Sequence, residues 1–220
     1  IQGGQRQQPQ FLAQVTTDSR GLFTLTLGAA ELATIGEGNN HQLVLRQSDG
    51  AGNSAESTPV NFAVDTIAPV ITVNDLGGLD GVISSSAGDN LISGTAEAGQ
   101  TLTLRATGPS GTRQLGSVTV DSKGVFSYSF TAADLQAIGQ GSNLSLSLSQ
   151  SDAAGNTTTI SRSFGVDTIA PAAAQITQAG GSDRTLSTAT GDNSIRGTTE
   201  AGAAVQLTLV DSLGVATLLG

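Results

Sequence analysis

Apolar and polar residues alternate along most of the chain in short runs, and clusters of Gly, Asp, Ser and Asn separate the runs. Strict alternation over about four to eight residues is typical of a β-strand that buries one face. Between residues 66 and 167 the pattern predicts seven strands, at 70–74, 91–97, 101–107, 114–120, 125–130, 143–150 and 157–166. Seven short strands separated by turns in about 100 residues favour an all-β fold, a two-sheet immunoglobulin-like sandwich.

Two other segments of this region carry different signals. Residues 131–139 (TAADLQAIG) begin with Thr, place Asp three positions later and space their apolar residues as a helix does, which predicts a short helical turn. Residues 75–90 are rich in Gly and Ser, so we expect a long loop there. The predicted core consists mainly of medium-sized aliphatic residues: Ile71, Ile92, Leu102, Leu104, Val118, Val120, Phe126, Phe130, Leu144, Leu146, Leu148, Ile160 and Phe164.

The chain repeats itself with a period of about 103 residues. The repeated pairs are 21–40 with 124–143, 48–53 with 151–156, 88–99 with 191–202, and the hexapeptide VDTIAP at Val64–Pro69 and Val166–Pro171. We call this hexapeptide the seam, because it is expected to join two domains. Pro fixes φ and biases the preceding residue toward an extended conformation, which limits the conformational freedom of such a connection.

Tandem immunoglobulin-like repeats are the organisation that this period predicts. The predicted domains are 1–65 (C-terminal part of a first repeat), 66–167 (a complete repeat) and 168–220 (N-terminal part of a third repeat). We expect the chain to be a segment of a longer array. The first part-repeat then supplies the later strands of a sandwich and the third supplies the earlier ones, so head-to-tail association of two chains is conceivable.

Composition narrows the function classes. The chain has 18 acidic and 9 basic residues and a net charge of −9, which disfavours nucleic acid as a partner. It has no Cys, which excludes disulfides and thiolate sites, and no apolar run long enough for membrane insertion. The single histidine, His41, has Leu144 as its counterpart in the repeat and is expected to be a surface strand residue. Since no catalytic constellation is evident, we do not expect an enzyme.

The predicted turns place several carboxylates at one end of the complete repeat. If the strands run alternately up and down, Glu97, Asp121 and Asp152 lie in three turns at the same end, and Asp65 of the seam enters there. Two carboxylates about 4 Å apart repel by about 4 kcal/mol at an intermediate dielectric, so such a cluster needs a proton or a cation. Calcium suits carboxylate, amide and carbonyl oxygens. The alternative is that each acid only shapes its own turn.

The same reasoning applies to the neighbouring junctions. Asp167 and Glu200 are the counterparts for the next junction, while Asp18 and Asp49 are those of the first part-repeat. Amide oxygens of Asn53 or Asn156 could complete a coordination shell. The loop at 75–90 carries further polar residues, for which a solvated turn is favoured over a second cation site: Asp75, Asp80, Asp89 and Asn90.

With these motifs in order, the sequence resembles the bacterial immunoglobulin-like repeats of giant surface adhesins, the Bap-like and RTX-type proteins exported by type I secretion. The motifs that carry the resemblance are DxxAP at Asp65–Pro69, GTAEAG at Gly94–Gly99, D-x-x-G before a Phe strand at Asp121–Phe126, and DAAGN at Asp152–Asn156. They cover essentially the whole chain, in part-copies at its ends.

The resemblance implies an extracellular stalk on the bacterial cell surface that is stiffened by calcium and serves attachment and biofilm formation. Its implied calcium ligands are Asp65, Glu97, Asp152, Asp167 and Glu200, with Asp121 as a further candidate whose alternative role is to nucleate its hairpin. The rival function is a binding module whose loops, at 108–113 and 75–88, contact a glycan or a host protein. These loops offer almost no aromatic or Arg anchors, which disfavours that alternative.

Overall fold

The computed structural model describes residues 10–210 and 212–218 and is nearly all-β. The chain divides into two compact units, Ile1–Asp167 and Thr168–Gly220. In the described part of the chain, no helix is long and apolar enough to cross a membrane. The elements are α1 (Ala29–Ile35), β1 (Gly38–Leu43), β2 (Arg46–Ser48), β3 (Ser54–Glu56), β4 (Val60–Val64), β5 (Thr72–Leu76), β6 (Val82–Ile83), β7 (Leu91–Thr95), β8 (Thr101–Gly108), β9 (Gly111–Thr119), β10 (Val125–Ser129), α2 (Ala132–Ile138), β11 (Gly141–Ser151), β12 (Thr157–Val166), β13 (Gln175–Ala179), β14 (Ile195–Thr198), β15 (Thr208–Val210) and β16 (Ala216–Leu218).

The complete repeat is a two-sheet sandwich, which confirms the predicted fold class. One sheet has the strand order β10-β7-β5 and the other the order β6-β12-β11-β8-β9. The alternation of apolar and polar residues puts one face of each strand in the core, as the burial of every second residue in β8 shows. The helical turn α2 is also confirmed, and its N-terminus is capped by reciprocal hydrogen bonds between Thr131 and Asp134.

The prediction of a loop at 75–90 is wrong in one respect, because this segment contains the short strand β6. This strand pairs in parallel with β12, with Val82 opposite Gly165 and Ile83 opposite Val166. The chain reaches it through Gly77, whose φ of +67° favours glycine. A strand of two residues is too short to show alternation, and for that reason the sequence pattern gave no sign of it.

The predicted core is largely confirmed, with two exceptions. Val118 and Ile160 are only partly buried and pack against the core from its margin. The prediction missed residues of α2, β6 and the strand ends, because their signals are local and weak: Ile83, Ala106, Leu135, Ile138 and Val166. Aromatic rings fill the remaining space, and Phe130 stacks on Phe164 with 6.2 Å between ring centroids.

Gly94 allows β5 and β7 to approach each other closely. A Cβ at this position would lie 2.0 Å from the main-chain oxygen of Thr72 and 2.9 Å from the ring of Phe126. The repeat counterpart, Gly197, has the same restriction, since its Cβ would lie 2.5 Å from the oxygen of Gln175. The first glycine of the GTAEAG motif is therefore explained by packing.

The described residues of the first part-repeat form α1 and two small antiparallel pairs, β1 with β4 and β2 with β3. We expected further strands before α1, but residues 10–28 contain none. In the complete repeat the corresponding strand, β10, is held by hydrogen bonds to β7, which this part-repeat does not supply. The second unit contains the pairs β13 with β14 and β15 with β16.

His41 lies in strand β1, as expected, but it is partly buried and does not stand fully on the surface. Its ring packs on Phe62, with 5.4 Å between centroids, and the side chain is half-buried. Nε2 is buried and has no hydrogen-bond partner among the described residues. His41 thus takes the packing position that Leu144 occupies in the complete repeat.

Candidate metal centre at the seam

Three turns of the complete repeat meet at the end where the seam enters. The main-chain N–H of Ala96 donates to the oxygen of Gly124 at 2.9 Å, and that of Gly99 donates to the oxygen of Val120 at 3.0 Å. These bonds join the turn that contains Glu97 to the turn that contains Asp121. The structure therefore places these two turns beside each other.

Asn156 connects the turn of Asp152 to the seam. Its side-chain Nδ2 donates to Oδ2 of Asp152 at 2.8 Å, to the main-chain oxygen of Asp65 at 3.1 Å and to Oδ1 of Asp65 at 3.4 Å. Its main-chain N–H also donates to Oδ1 of Asp152 at 2.9 Å. One amide group thus brings together two of the acids that the sequence predicted to converge.

Asp152 lies in a buried part of the turn, with 9% of its residue surface exposed. The side-chain hydrogen bond from Asn156 lowers the pKa of Asp152 below its usual value, and main-chain donors of the same turn lower it further, against the opposing effect of burial. Asp49 has the same arrangement in the first part-repeat, where the side-chain bond from Asn53 lowers its pKa. The Asp-to-Asn contact is a repeated property of this turn.

Glu97 is fixed through its backbone by Gln150. The main-chain N–H of Glu97 donates to Oε1 of Gln150 at 2.9 Å, and Nε2 of Gln150 donates back to the oxygen of Glu97 at 3.1 Å. Gln150 is 1% exposed, and sequence analysis gave it no role. The sequence feature that could have identified Gln150 is its place as the one polar residue at the end of the otherwise apolar face of β11.

Asp121 caps its own hairpin turn. Its Oδ1 accepts the main-chain N–H groups of Lys123 at 2.9 Å and Val125 at 2.8 Å. Asp18 makes the matching contacts to Arg20 and Leu22, both at 2.8 Å. Turn formation, the alternative considered for these acids, accounts for the observed contacts.

The remaining predicted ligands belong to different units of the chain. Asp167 ends the first unit, and its main-chain N–H donates to the oxygen of Ile83 at 3.0 Å. Glu200 lies in an exposed turn of the second unit, where its oxygen accepts the N–H of Ala203 at 3.2 Å. A site formed by Asp167 and Glu200 stays a prediction.

The described residues contain no group of three or more His, Asp or Glu side chains that could hold a metal ion. Asp65 and Asp152 are brought together, but Glu97 and Asp121 do not join them through their carboxylates. The atoms at the seam that could bind a metal ion are nevertheless hard oxygens of the kind that calcium prefers. They belong to two carboxylates and to the main-chain carbonyl of Asp65. In this structure the side-chain NH₂ of Asn156 donates the hydrogen bonds that these oxygens accept.

The loop before β7 shows turn contacts at the positions considered for a second cation site. Oδ1 of Asp80 accepts the N–H of Val82 at 3.0 Å. Asn90 is bonded to Phe130 through its main-chain oxygen at 2.7 Å and its side chain at 3.4 Å, which ties the loop to the end of β10. These contacts support the solvated-turn interpretation.

Sequence analysis missed Glu37, which contacts the seam from the first part-repeat. Its carboxylate accepts the main-chain N–H of Thr66, at 3.2 Å to Oε1 and 3.1 Å to Oε2, and it also accepts the Thr66 hydroxyl. Gln140 replaces this acid in the next repeat, so comparison of the repeats did not single it out.

No protein-family model and no curated protein matches the sequence. Among solved structures, the chain is similar to a Ca²⁺-stabilized adhesin that helps an Antarctic bacterium reach out and bind ice, with 25% identity, 93% of this chain covered and a TM-score of 0.38. It is also similar to a tetra-tandem repeat in the extending region of a large adhesion protein, with 20% identity over 82% of this chain and a TM-score of 0.40.

A third similar structure belongs to a 1.5-MDa bacterial ice-binding adhesin studied for its retention on the host cell surface, with 27% identity, 70% coverage of this chain and a TM-score of 0.33. The chain spans 60%, 45% and 49% of the length of these three chains, respectively. All three of these structures belong to adhesion proteins, and one of them is a tandem repeat of an extending region.

Proposed function

We propose that this chain is an extender segment of a bacterial surface adhesin, in which tandem repeats form a stalk and calcium stiffens the junctions between them. The stalk is exported by type I secretion, lies outside the cell and supports attachment and biofilm formation. The observation that carries the proposal is the contact of Asn156 with both Asp65 and Asp152. It fixes the aspartate of the seam to a turn of the repeat that the seam enters.

In this proposal the residues that hold calcium at the first junction are Asp65, Glu97, Asp152 and, with a second role in its turn, Asp121. Asp65 and Asp152 already share one partner. An amide can offer its oxygen in place of its NH₂, so Asn156 is able to become a ligand when a cation replaces its donated hydrogen bonds.

The test measures thermal unfolding and small-angle scattering of the chain in excess calcium and in EDTA. A ligand that binds only the folded state at about 100 times its Kd stabilises it by about 2.7 kcal/mol, so calcium is expected to raise the Tm. Scattering should show a larger radius of gyration with calcium. The double variant Asp65→Asn with Asp152→Asn should lose both effects, whereas Asp80→Asn, in a loop turn, should retain them. Identical melting and scattering in calcium and EDTA would contradict the calcium proposal.

A second candidate property is head-to-tail association between two copies of the chain. Leu43, at the end of β1, is 41% exposed, and Leu45, just after β1, is 45% exposed. Their counterparts in the complete repeat, Leu146 and Leu148, are fully buried. In the second unit, the counterparts of buried core residues are exposed in the same way: Val205 at 53%, Leu207 at 37% and Ile195 at 40%.

The complete repeat indicates how two such copies would pair. In it, Leu148 lies opposite Leu104 and Ser147 opposite Arg105 across β11 and β8. Residues 10–65 carry the counterparts of α2, β11 and β12, and residues 168–218 carry those of β5 to β8 and of the first part of β9. A second copy therefore offers the partner strands that would cover the exposed residues.

Engineered cysteines test this pairing, because the chain has none of its own. The counterparts of Ser147 and Arg105 are Val44 and Thr208, so Val44→Cys with Thr208→Cys should give disulfide-linked oligomers under mild oxidation. The matched control, Ser147→Cys with Arg105→Cys, should close within one chain, since these Cα atoms are direct partners. If the control closes while the test pair stays monomeric at high protein concentration, the association is excluded.

A further inference from the structure

Glu37 lies where the seam leaves the first part-repeat. β1 begins at Gly38, which is the pairing partner of Val64 at the end of β4. The residue before Gly38 consequently faces the residues after Val64, which explains why Glu37 reaches Thr66. Both oxygens of its carboxylate accept the Thr66 N–H, at 3.2 and 3.1 Å, and Oε1 also accepts the Thr66 hydroxyl.

The seam is also held from the opposite side. Asn156, which belongs to the complete repeat, donates to the main-chain oxygen of Asp65 at 3.1 Å. The carbonyl of Asp65 and the N–H of Thr66 are the two polar groups of one peptide unit, so a side chain from each repeat binds the same peptide group. Fixing a residue's backbone costs about 1–2 kcal/mol of conformational entropy, and contacts of this kind offset that cost where the chain would otherwise be free.

We infer that Glu37 is a positioning residue that fixes the seam against the first part-repeat, so that protein side chains alone hold the junction from both sides. The carboxylate suits this role, because it offers two acceptor oxygens and bonds to a charged acceptor are stronger than those between neutral groups. In this contact a carboxylate, an N–H and a hydroxyl of the protein satisfy one another. The inference therefore holds whether or not calcium binds at Asp65, and it goes beyond the calcium proposal.

Distance measurement between two spin labels in EDTA tests the inference. Because the chain contains no cysteine, Ala55→Cys and Ser117→Cys place one label on each repeat at exposed positions. With Glu37 present, pulsed electron paramagnetic resonance should give a narrow distance distribution. Glu37→Ala should lose the narrow distribution, whereas Glu56→Ala removes an equal charge from exposed strand β3 and should keep it.

Three further variants separate positioning from general stability. Thr66→Val removes the donated hydroxyl and should broaden the distribution in part, while Thr66→Ser should not. Glu37→Gln, which copies the residue at position 140, leaves one acceptor oxygen and should give an intermediate width. The Tm of the complete repeat should stay unchanged throughout. A distribution equally narrow in Glu37→Ala and Thr66→Val would overturn the inference, even if calcium later proved to bind.

Discussion

The side-chain amide of Asn156 donates to the main-chain oxygen of Asp65 at 3.1 Å, although 91 residues of sequence separate them. The same Nδ2 donates to Oδ2 of Asp152 at 2.8 Å. Asn156 is therefore the residue through which the DAAGN turn recognises the incoming seam. The geometry of the junction depends on a side chain of the turn as well as on the proline of the seam.

Replacing Asn156 by Ala should destabilise the complete repeat and free the seam. Buried or half-buried hydrogen bonds each contribute about 0.5–1.5 kcal/mol, so a loss of about 1–3 kcal/mol is expected in the free energy of unfolding. Urea unfolding in EDTA measures it. Asn53→Ala is the matched control, because Asn53 makes the corresponding bond to Asp49 at 2.7 Å in the first part-repeat. Equal unfolding curves for Asn156→Ala and the unchanged chain would contradict the assigned role.

Acid should weaken the DAAGN turn. The pKa of Asp152 is lowered from its usual 3.8, mainly by the side-chain bond from Asn156. A lowered pKa in the folded state means that the carboxylate's contribution is complete above the unfolded value and is lost as pH falls through the folded value. Stability should therefore decrease as the pH is taken below 3.8.

Carboxyl ¹³C chemical shifts, followed against pH in EDTA, report this pKa directly. In Asn156→Ala the pKa of Asp152 should move back toward the usual value. The pKa of Asp49, which Asn53 lowers, should not change in that variant and is the internal control. If Asp152 titrates at the same pH with and without Asn156, the hydrogen bond is not the cause of the shift.

The fold of the complete repeat follows from the sequence where burial is periodic. β12 has the predicted bounds, Thr157–Val166, because its alternation is long and ends at the seam. β6 could not be predicted in the same way, since only two residues pair and their partner strand lies far along the chain. Local pattern identifies a strand but not a short pairing that tertiary contacts impose.

At the junction, too, the sequence predicted part of the arrangement and missed another part. Counting strand directions placed the turns of Glu97 and Asp152 at one end, and the contact between Glu97 and Gln150 agrees with that placement. The sequence analysis named the amide of Asn156 only as a possible oxygen ligand, and it did not show that the NH₂ group bonds Asp65 and Asp152, because a side-chain contact across 91 residues has no periodic signal. Glu37 was missed for a related reason, since the repeats differ at that position.

Asp121→Ala should destabilise the turn before β10 in EDTA as well as in calcium, where the loss of a proposed calcium ligand adds to the effect. Oδ1 of Asp121 accepts two main-chain N–H groups, and loss of a comparable capping side chain costs about 0.5–2 kcal/mol. Asp121→Asn keeps an acceptor oxygen and should cost less. If instead the loss appears only with calcium, Asp121 acts mainly as a ligand and its role in the turn is secondary.

Gln150→Leu should be among the most destabilising single changes at this end of the repeat. Leu keeps the buried volume approximately but leaves the N–H and the oxygen of Glu97 without the partners that lie at 2.9 and 3.1 Å. An unsatisfied buried polar group costs about 1–3 kcal/mol, so a loss of about 2–6 kcal/mol is expected for the pair in urea unfolding.

Gln47→Leu is the matched control for this prediction. Gln47 is the counterpart of Gln150 in the first part-repeat, where β2 is exposed, so water can hydrogen-bond its neighbours after the substitution. Unfolding of this variant should differ little from that of the unchanged chain. Gln150→Glu keeps the acceptor for the N–H of Glu97 but loses the donated bond and buries a charge, so it should also destabilise strongly. Similar small losses for Gln150→Leu and Gln47→Leu would show that the buried amide does not hold Glu97 in place.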